Sequence, residues 1–77
     1  MNAKTQQLID GLAIDLKEDV ARIEASPETT QHHYGDYGSI ISSVAAGNRN
    51  VANLIGHALI KAGAHPLGVA NAIKLFV

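Results

Sequence analysis

The chain has 77 residues, a formal net charge of −1 and no cysteine. The length indicates a single domain, and the absence of cysteine means that neither disulfides nor thiolate metal sites can stabilise it. A domain of this size buries only about 60% of its unfolded surface, so a monomer is expected to be marginally stable. The charge near zero gives no support for a nucleic-acid partner, because nucleic-acid-binding domains carry a basic surface.

The N-terminal stretch does not have the form of a signal peptide, since Asp10 interrupts its first apolar run. The best apolar stretch, residues 51–64, contains Asn53, His57 and Lys61. It therefore falls short of the roughly 18 uncharged apolar residues that a membrane span requires. We expect a cytoplasmic protein with no membrane partner.

The charges divide along the chain. Residues 1–36 hold all seven acidic residues against three cations, whereas residues 37–77 hold three cations and no acid. Two interpretations compete. The acidic part of one subunit pairs with the cationic part of another, or the acidic part recognises a foreign partner.

The first half predicts one long helix and a loop. Residues 5–25 predict an amphipathic helix, although Gly11 weakens its interior. Apolar side chains recur there at three- and four-residue steps: Ile9, Leu12, Leu16, Val20 and Ile23. A polar loop is predicted over residues 29–38, because this stretch has two glycines and poor helix propensity.

The second half predicts three further helices, over residues 39–46, 50–62 and 66–76. Gly47 is a natural residue to end the first of them, and Asn48 or Asn50 a natural cap for the second. A rival interpretation keeps residues 37–62 as one continuous helix, with Asn48 as a buried polar position in a coiled-coil seam. The sequence leaves both open.

These elements predict an all-α fold, a small bundle of three to four short helices. With no tryptophan, one phenylalanine and two tyrosines, its core must be aliphatic and rich in alanine. The second half offers more apolar surface than one amphipathic helix can cover, so we expect a homo-oligomer, in the simplest case a dimer. The residues expected at its interface are Ile41, Val44, Val51, Ile55, Ile60 and Phe76.

Two groups of residues are candidates for contact with a partner. Tyr34, Asp36 and Tyr37 fall close together in the predicted loop, and tyrosines are favoured at protein interfaces. The alternative is that both tyrosines cover the end of a small core. The second group is an acidic face on the first helix, which could equally be a solvated surface. Its members are Asp15, Glu18 and Asp19.

Metal binding and catalysis find little support. Glu28 and His32 have a helical metal-ligand spacing, but nothing completes the set. A Ser39, His33 and Asp36 trio can be drawn without any motif that would define a nucleophile, and no phosphate-binding glycine motif occurs. We expect no enzyme, no metal and no cofactor.

The function these features favour is a non-enzymatic protein-interaction module, acting as an inhibitor or adaptor on a surface of a larger protein. A compact chain without motifs fits the habit of phage-borne inhibitors of host or defence machinery, anti-CRISPR proteins among them. One alternative is a membrane-active amphipathic peptide formed by residues 38–77. Another is an oligomer that sequesters a small ligand or nucleotide through His32, His33, Arg49, Asn50 and Lys61.

Overall fold

The computed structural model describes residues 2–27 and 30–76, and in this part of the chain every regular element is helical. A 3-10 turn, Thr30–His32, precedes the second helix. The all-α prediction is confirmed. The four α-helices are α1 (Ala3–Glu24), α2 (Tyr34–Ala45), α3 (Arg49–Lys61) and α4 (Pro66–Phe76).

Helix α1 begins earlier than the apolar periodicity indicates. The Asn2 side chain caps it by accepting the Thr5 backbone N–H at 2.8 Å, which satisfies one of the free donors of the first turn. Gly11 lies inside the helix without breaking it. One face of α1 packs on the core through Ile9, Ala13, Val20 and Ile23.

Helix α2 begins at Tyr34, so the predicted loop over residues 29–38 is too long. Its first turn has poor intrinsic propensity, but Tyr37 and Gly38 are both buried, and packing of this kind overrides propensity. The chain enters α2 through left-handed backbone at Gln31, His32 and His33, whose φ angles are 41°, 56° and 71°.

The boundary between α2 and α3 is a sharp break. Ala46 and Gly47 both have positive φ, at 49° and 86°. The Asn48 side chain then accepts the backbone N–H groups of Asn50 and Val51 at 3.0 and 3.2 Å. The two predicted helices are confirmed here, and the continuous helix over residues 37–62 is wrong.

The core lies where α2 packs on α3 and α4, and α1 packs along α3. Close approaches are made at three glycines, Gly38, Gly56 and Gly68. A Cβ at Gly68 would lie 2.9 Å from the His32 carbonyl carbon, and one at Gly56 would lie 2.8 Å from the Ile73 side chain. The largest fully buried side chains are Tyr37, Ile41, Leu59, Val20 and Val69. Among residues 2–27 and 30–76, no helix has the length and apolar content to cross a membrane.

Candidate protein-interaction surfaces

Tyr37 is a core residue. Its exposed fraction is 0%, and its hydroxyl donates a hydrogen bond to the Glu24 carboxylate at the end of α1. The same carboxylate oxygen accepts the backbone N–H of His65 at 3.2 Å. The predicted role of Tyr37 as a partner contact is therefore wrong for this conformation, and the alternative, that it covers the core, describes its position.

The contact between Tyr37 and Glu24 shifts the pKa of both groups. Burial favours protonation of Glu24, but the hydrogen bonds from Tyr37 and from the His65 N–H outweigh it and leave the pKa of Glu24 lowered. Burial also raises the pKa of the Tyr37 hydroxyl, and the hydrogen bond to Glu24 raises it further. Each group thus holds its partner in the protonation state that the hydrogen bond needs.

The histidines near this pair are used in packing. The His32 ring stacks on the His65 ring with centroids 3.7 Å apart and an interplanar angle of 6°. The Nδ1 atom of His65 accepts the Leu67 N–H at 3.1 Å, at the start of α4. His33 is buried, with its Nδ1 4.0 Å from an Asp36 carboxylate oxygen.

The metal-ligand pair and the catalytic trio considered in the sequence do not come together as sites in the described residues. No group of three or more potential metal ligands occurs there, and Glu28, one member of the pair, lies outside them. The Ser39 hydroxyl donates to the Gly35 carbonyl at 3.2 Å, within its own helix.

Two of the three predicted loop residues reach the surface at the start of α2. The Asp36 side chain is 62% exposed. Tyr34 is half-buried, with its ring 6.3 Å from the ring of Phe76. These two residues keep the partner-contact role as a prediction.

The outward side of α1 combines aliphatic and acidic groups. Ile14 is 75% exposed, more than any other large hydrophobic side chain in the described residues. Asp15 and Glu18 are exposed and make no ion pair within that part of the chain, whereas Asp19 binds Arg22 at 3.0 Å. The outer α1 face is defined here as Leu8, Gly11, Ile14, Asp15 and Glu18, all of them exposed.

A groove of 170 Å³ runs between α3 and α4. The α3–α4 groove is defined by its more buried lining residues, Gly56, Val69 and Ile73, which form the floor, and by its exposed lining residues, Asn53, His57, Ile60, Pro66 and Ala70, which form the walls. Arg49 lies one helical turn before the wall residue Asn53, and Lys74 one turn after Ala70. Neither cation makes an ion pair with a described residue, and the sequences of α3 and α4 contain no acid. The groove is therefore apolar with unneutralised positive charge beside it.

The five residues predicted to hold a small ligand do not converge. Lys61 forms an ion pair with Asp10 across a pocket of 390 Å³ between α1 and α3, and this bond lowers the pKa of Asp10. Arg49 and Asn50 lie in the first turn of α3, and Arg49 is about 18 Å from Lys61 along the helix. His32 and His33 belong to the turn before α2.

The residues predicted to form an oligomer interface divide into two groups. Ile41 and Ile55 have exposed fractions of 0% and 3% and pack inside the core of this chain, so their predicted place at an interface is wrong. Val51 is half-buried against the same core. Val44, Ile60 and Phe76 are exposed and stay candidates.

Sequence reasoning missed Ile14 and the outward position of Gly11. The signal was present, because Ile14 falls on the polar arc of a helix whose other aliphatic residues mostly share the opposite side.

Comparison with protein-family models, curated proteins and solved structures gives no match to this chain.

Proposed function

We propose that this chain is a non-enzymatic protein-interaction module, an adaptor or inhibitor that occupies a surface of a larger protein with its outer α1 face. The observation that carries the proposal is the setting of Ile14, an aliphatic side chain 75% exposed beside two carboxylates, Asp15 and Glu18, that have no ion-pair partner in the described residues.

A single exposed aliphatic residue is common on protein surfaces, so its neighbours decide the argument. Gly11 precedes Ile14 by three positions and lies on the same side of α1. A Cβ there would meet nothing within 4 Å, so the fold itself does not require glycine. Glycine inside a helix costs about 1 kcal/mol relative to alanine. A partner backbone that crosses α1 closely at this point supplies the reason for that cost.

The carboxylates define the chemistry of the partner. Asp15 and Glu18 place negative charge on one side of Ile14, and neither carboxylate makes an ion pair with a described residue. Arg22, one turn beyond Glu18, is paired with Asp19, and Lys17 lies on the other side of Ile14. This acidic side selects a basic surface with an apolar depression, and it speeds association and discriminates against acidic proteins. Asp36 and the exposed part of Tyr34 form a second contact region in this proposal. The setting we propose is the cytoplasm and the class that of phage-borne inhibitors of host or defence machinery, on the strength of small size and the lack of catalytic motifs.

The test is affinity capture from a lysate of the natural source, with the wild-type chain and the Ile14→Asp variant as parallel baits. Val44→Asp is the matched control, because Val44 is also exposed and aliphatic but lies on α2. Proteins held by wild type and by the control, and lost by Ile14→Asp, are then purified. Their affinities are measured by calorimetry.

We expect Ile14→Asp to weaken binding of the purified partner by at least about tenfold. We expect Asp15→Lys combined with Glu18→Lys to weaken it as well, with a smaller dependence on salt than wild type shows. A partner that binds all the α1 variants as tightly as wild type overturns the proposal.

A further inference from the structure

We propose that the α3–α4 groove is the docking site for the outer α1 face of a second copy of this chain. The inference rests on the proposed function in one respect, since it takes the outer α1 face to be a protein-docking surface. It goes further by naming the site that binds this face. It also gives a role in assembly to the division of the chain into an acidic first part and a cationic second part.

Charge complementarity selects a second copy as the occupant. The groove is flanked by Arg49 and Lys74, which no described acid neutralises, on two helices that contain no acid at all. All seven acids of the chain lie within residues 1–36. Among them, Asp15 and Glu18 are exposed without an ion-pair partner on a helix whose outward side is also aliphatic.

The shapes of the two surfaces also agree. The groove measures 170 Å³, comparable with a cavity of about 150 Å³ that holds a benzene ring, so it can receive one aliphatic side chain. Ile14 is the side chain that the outer α1 face offers. Gly11, one turn away, lets the α1 backbone approach the groove walls without a clash, because nothing projects from its Cα.

Lys17 does not oppose this arrangement. Together with Ile14, Asp10 and Lys61, it lines the pocket between α1 and α3. On a helix it is therefore turned away from Asp15, which lies about 160° around the axis at about 3.6 residues per turn. Arg22 lies one turn beyond Glu18 but is paired with Asp19, so the side of Ile14 that faces Asp15 and Glu18 stays acidic.

Each copy carries one outer α1 face and one α3–α4 groove. In a dimer with two-fold symmetry, each face occupies the groove of the partner subunit, so both surfaces are covered and the assembly is closed. A foreign partner of the outer α1 face therefore competes with the second copy for that face. Because the contact combines an aliphatic anchor with exposed charges, we expect its affinity to fall with salt without vanishing.

The first experiment is sedimentation equilibrium of the full chain at about 50 mM and about 500 mM salt, conditions in which the Debye length differs roughly threefold. Variants Ile14→Asp and Ala70→Glu alter the face and the groove respectively, both at exposed positions. Leu75→Asp is the matched control, because Leu75 is also exposed and aliphatic but lines neither the groove nor the outer α1 face. Circular dichroism melting of each variant verifies that it is folded.

We expect wild type and Leu75→Asp to dimerise, with dissociation constants that rise in high salt. We expect Ile14→Asp and Ala70→Glu each to weaken self-association by at least about tenfold. Mixing these two variants is the sharper test. The Ile14→Asp copy keeps an intact groove and the Ala70→Glu copy an intact face. The heterodimer therefore retains one of the two face–groove contacts unaltered, whereas either homodimer retains none, so the mixture should associate more strongly than either variant alone.

A wild-type chain that stays monomeric at millimolar concentration overturns the inference, as does a dimer that the face and groove variants leave unchanged. So does a mixture of the two variants that associates no more strongly than either variant alone. The two proposals fail separately. Loss of the foreign partner in Ile14→Asp, with a wild-type chain that is monomeric, keeps the proposed function and removes the self-docking. Self-association of the wild-type chain, with no foreign partner for the outer α1 face, keeps the self-docking and removes the proposed function.

Discussion

The Tyr37 hydroxyl donates a hydrogen bond to the Glu24 carboxylate from a ring that solvent does not reach. This contact ties the end of α1 to the first turn of α2. The same carboxylate oxygen accepts the backbone N–H of His65, in the connection between α3 and α4. One carboxylate therefore joins three segments that are distant in sequence.

Removal of this hydrogen bond should destabilise the fold. In the Tyr37→Phe variant the packing of the ring is kept and only the donor is lost. We expect the free energy of unfolding to fall by about 1–3 kcal/mol, the range for hydrogen bonds to charged groups. Urea unfolding followed by circular dichroism measures the change.

Tyr34→Phe is the matched control. The Tyr34 hydroxyl makes no hydrogen bond to any described residue, and its ring is only half-buried. Its free energy of unfolding should stay within about 0.5 kcal/mol of wild type, as for a surface substitution. Equal losses in the two variants would contradict the importance we assign to the Tyr37–Glu24 bond.

Acid should destabilise the protein partly through Glu24. The pKa of Glu24 is lowered from its ordinary value of 4.5 in the folded state, so the unfolded chain binds more protons in the interval between the two values. The stability that this group contributes is present above pH 4.5 and is lost as the pH falls through the folded pKa. Urea unfolding across this interval should show a shallower pH dependence for Glu24→Gln than for wild type. Glu18→Gln, an exposed acid with no ion pair to any described residue, should behave as wild type does.

At alkaline pH the stability of the protein should change with pH in the opposite direction. The pKa of Tyr37 is raised above its ordinary value of 10.0 in the folded state, so above pH 10 the unfolded chain loses a proton that the folded chain keeps. Stability therefore falls as the pH rises above 10. Urea unfolding above this pH should show a smaller loss in Tyr37→Phe than in wild type, while Tyr34, present in both, cancels. Parallel curves for the two proteins would contradict this assignment.

Helix positions were predictable wherever one local signal dominated. Apolar periodicity located α1, α3 and α4, and Gly47 with Asn48 located the break before α3. The first turn of α2 was not predictable, because its helical state depends on Tyr37 contacts made with distant segments. Helix propensity alone predicts a loop for those residues, and only their tertiary packing makes them helical.

The candidate surfaces were predictable in part. Asp15 and Glu18 are exposed as their place on the polar arc indicates. Tyr34 and Tyr37, by contrast, are three residues apart with similar chemistry, and nothing local tells which of them enters the core. The α3–α4 groove depends on the approach of two helices at Gly56, a relationship that no single-helix pattern contains.

Gly68 and Gly38 should respond differently to substitution by alanine. At Gly68 the new Cβ would meet the backbone carbonyl of His32, which cannot move without displacing the turn before α2. At Gly38 it would meet the ring of Phe76, a partly exposed side chain that can rotate away. We expect Gly68→Ala to lower the free energy of unfolding by about 3 kcal/mol, at the upper end of overpacking costs, and Gly38→Ala to lower it by about 1 kcal/mol. Urea unfolding of both variants tests this order, and its reversal would count against these contacts.

Substitution of Ala46 by glycine should stabilise the protein. It ends α2 in the left-handed region, with φ 49° and ψ 42°, where an L-residue is strained by about 1–2 kcal/mol. The extra backbone entropy of glycine in the unfolded chain offsets about 0.5–1 kcal/mol of that relief. Thermal unfolding of Ala46→Gly should therefore show a gain of about 0.5–1 kcal/mol. Ala21→Gly, in the interior of α1, is the control and should lose about 1 kcal/mol.

Gly11→Ala separates folding from binding in one substitution. The added Cβ meets nothing within 4 Å in the fold, and alanine is the better helix former, so the free energy of unfolding should rise by about 0.5–1 kcal/mol. The same methyl group would stand between α1 and any backbone that crosses it closely, so both capture of a foreign partner and self-association should weaken. Thermal unfolding and sedimentation of the same sample measure the two effects together. A variant that is more stable and associates as strongly as wild type would show that Gly11 has no part in an interface.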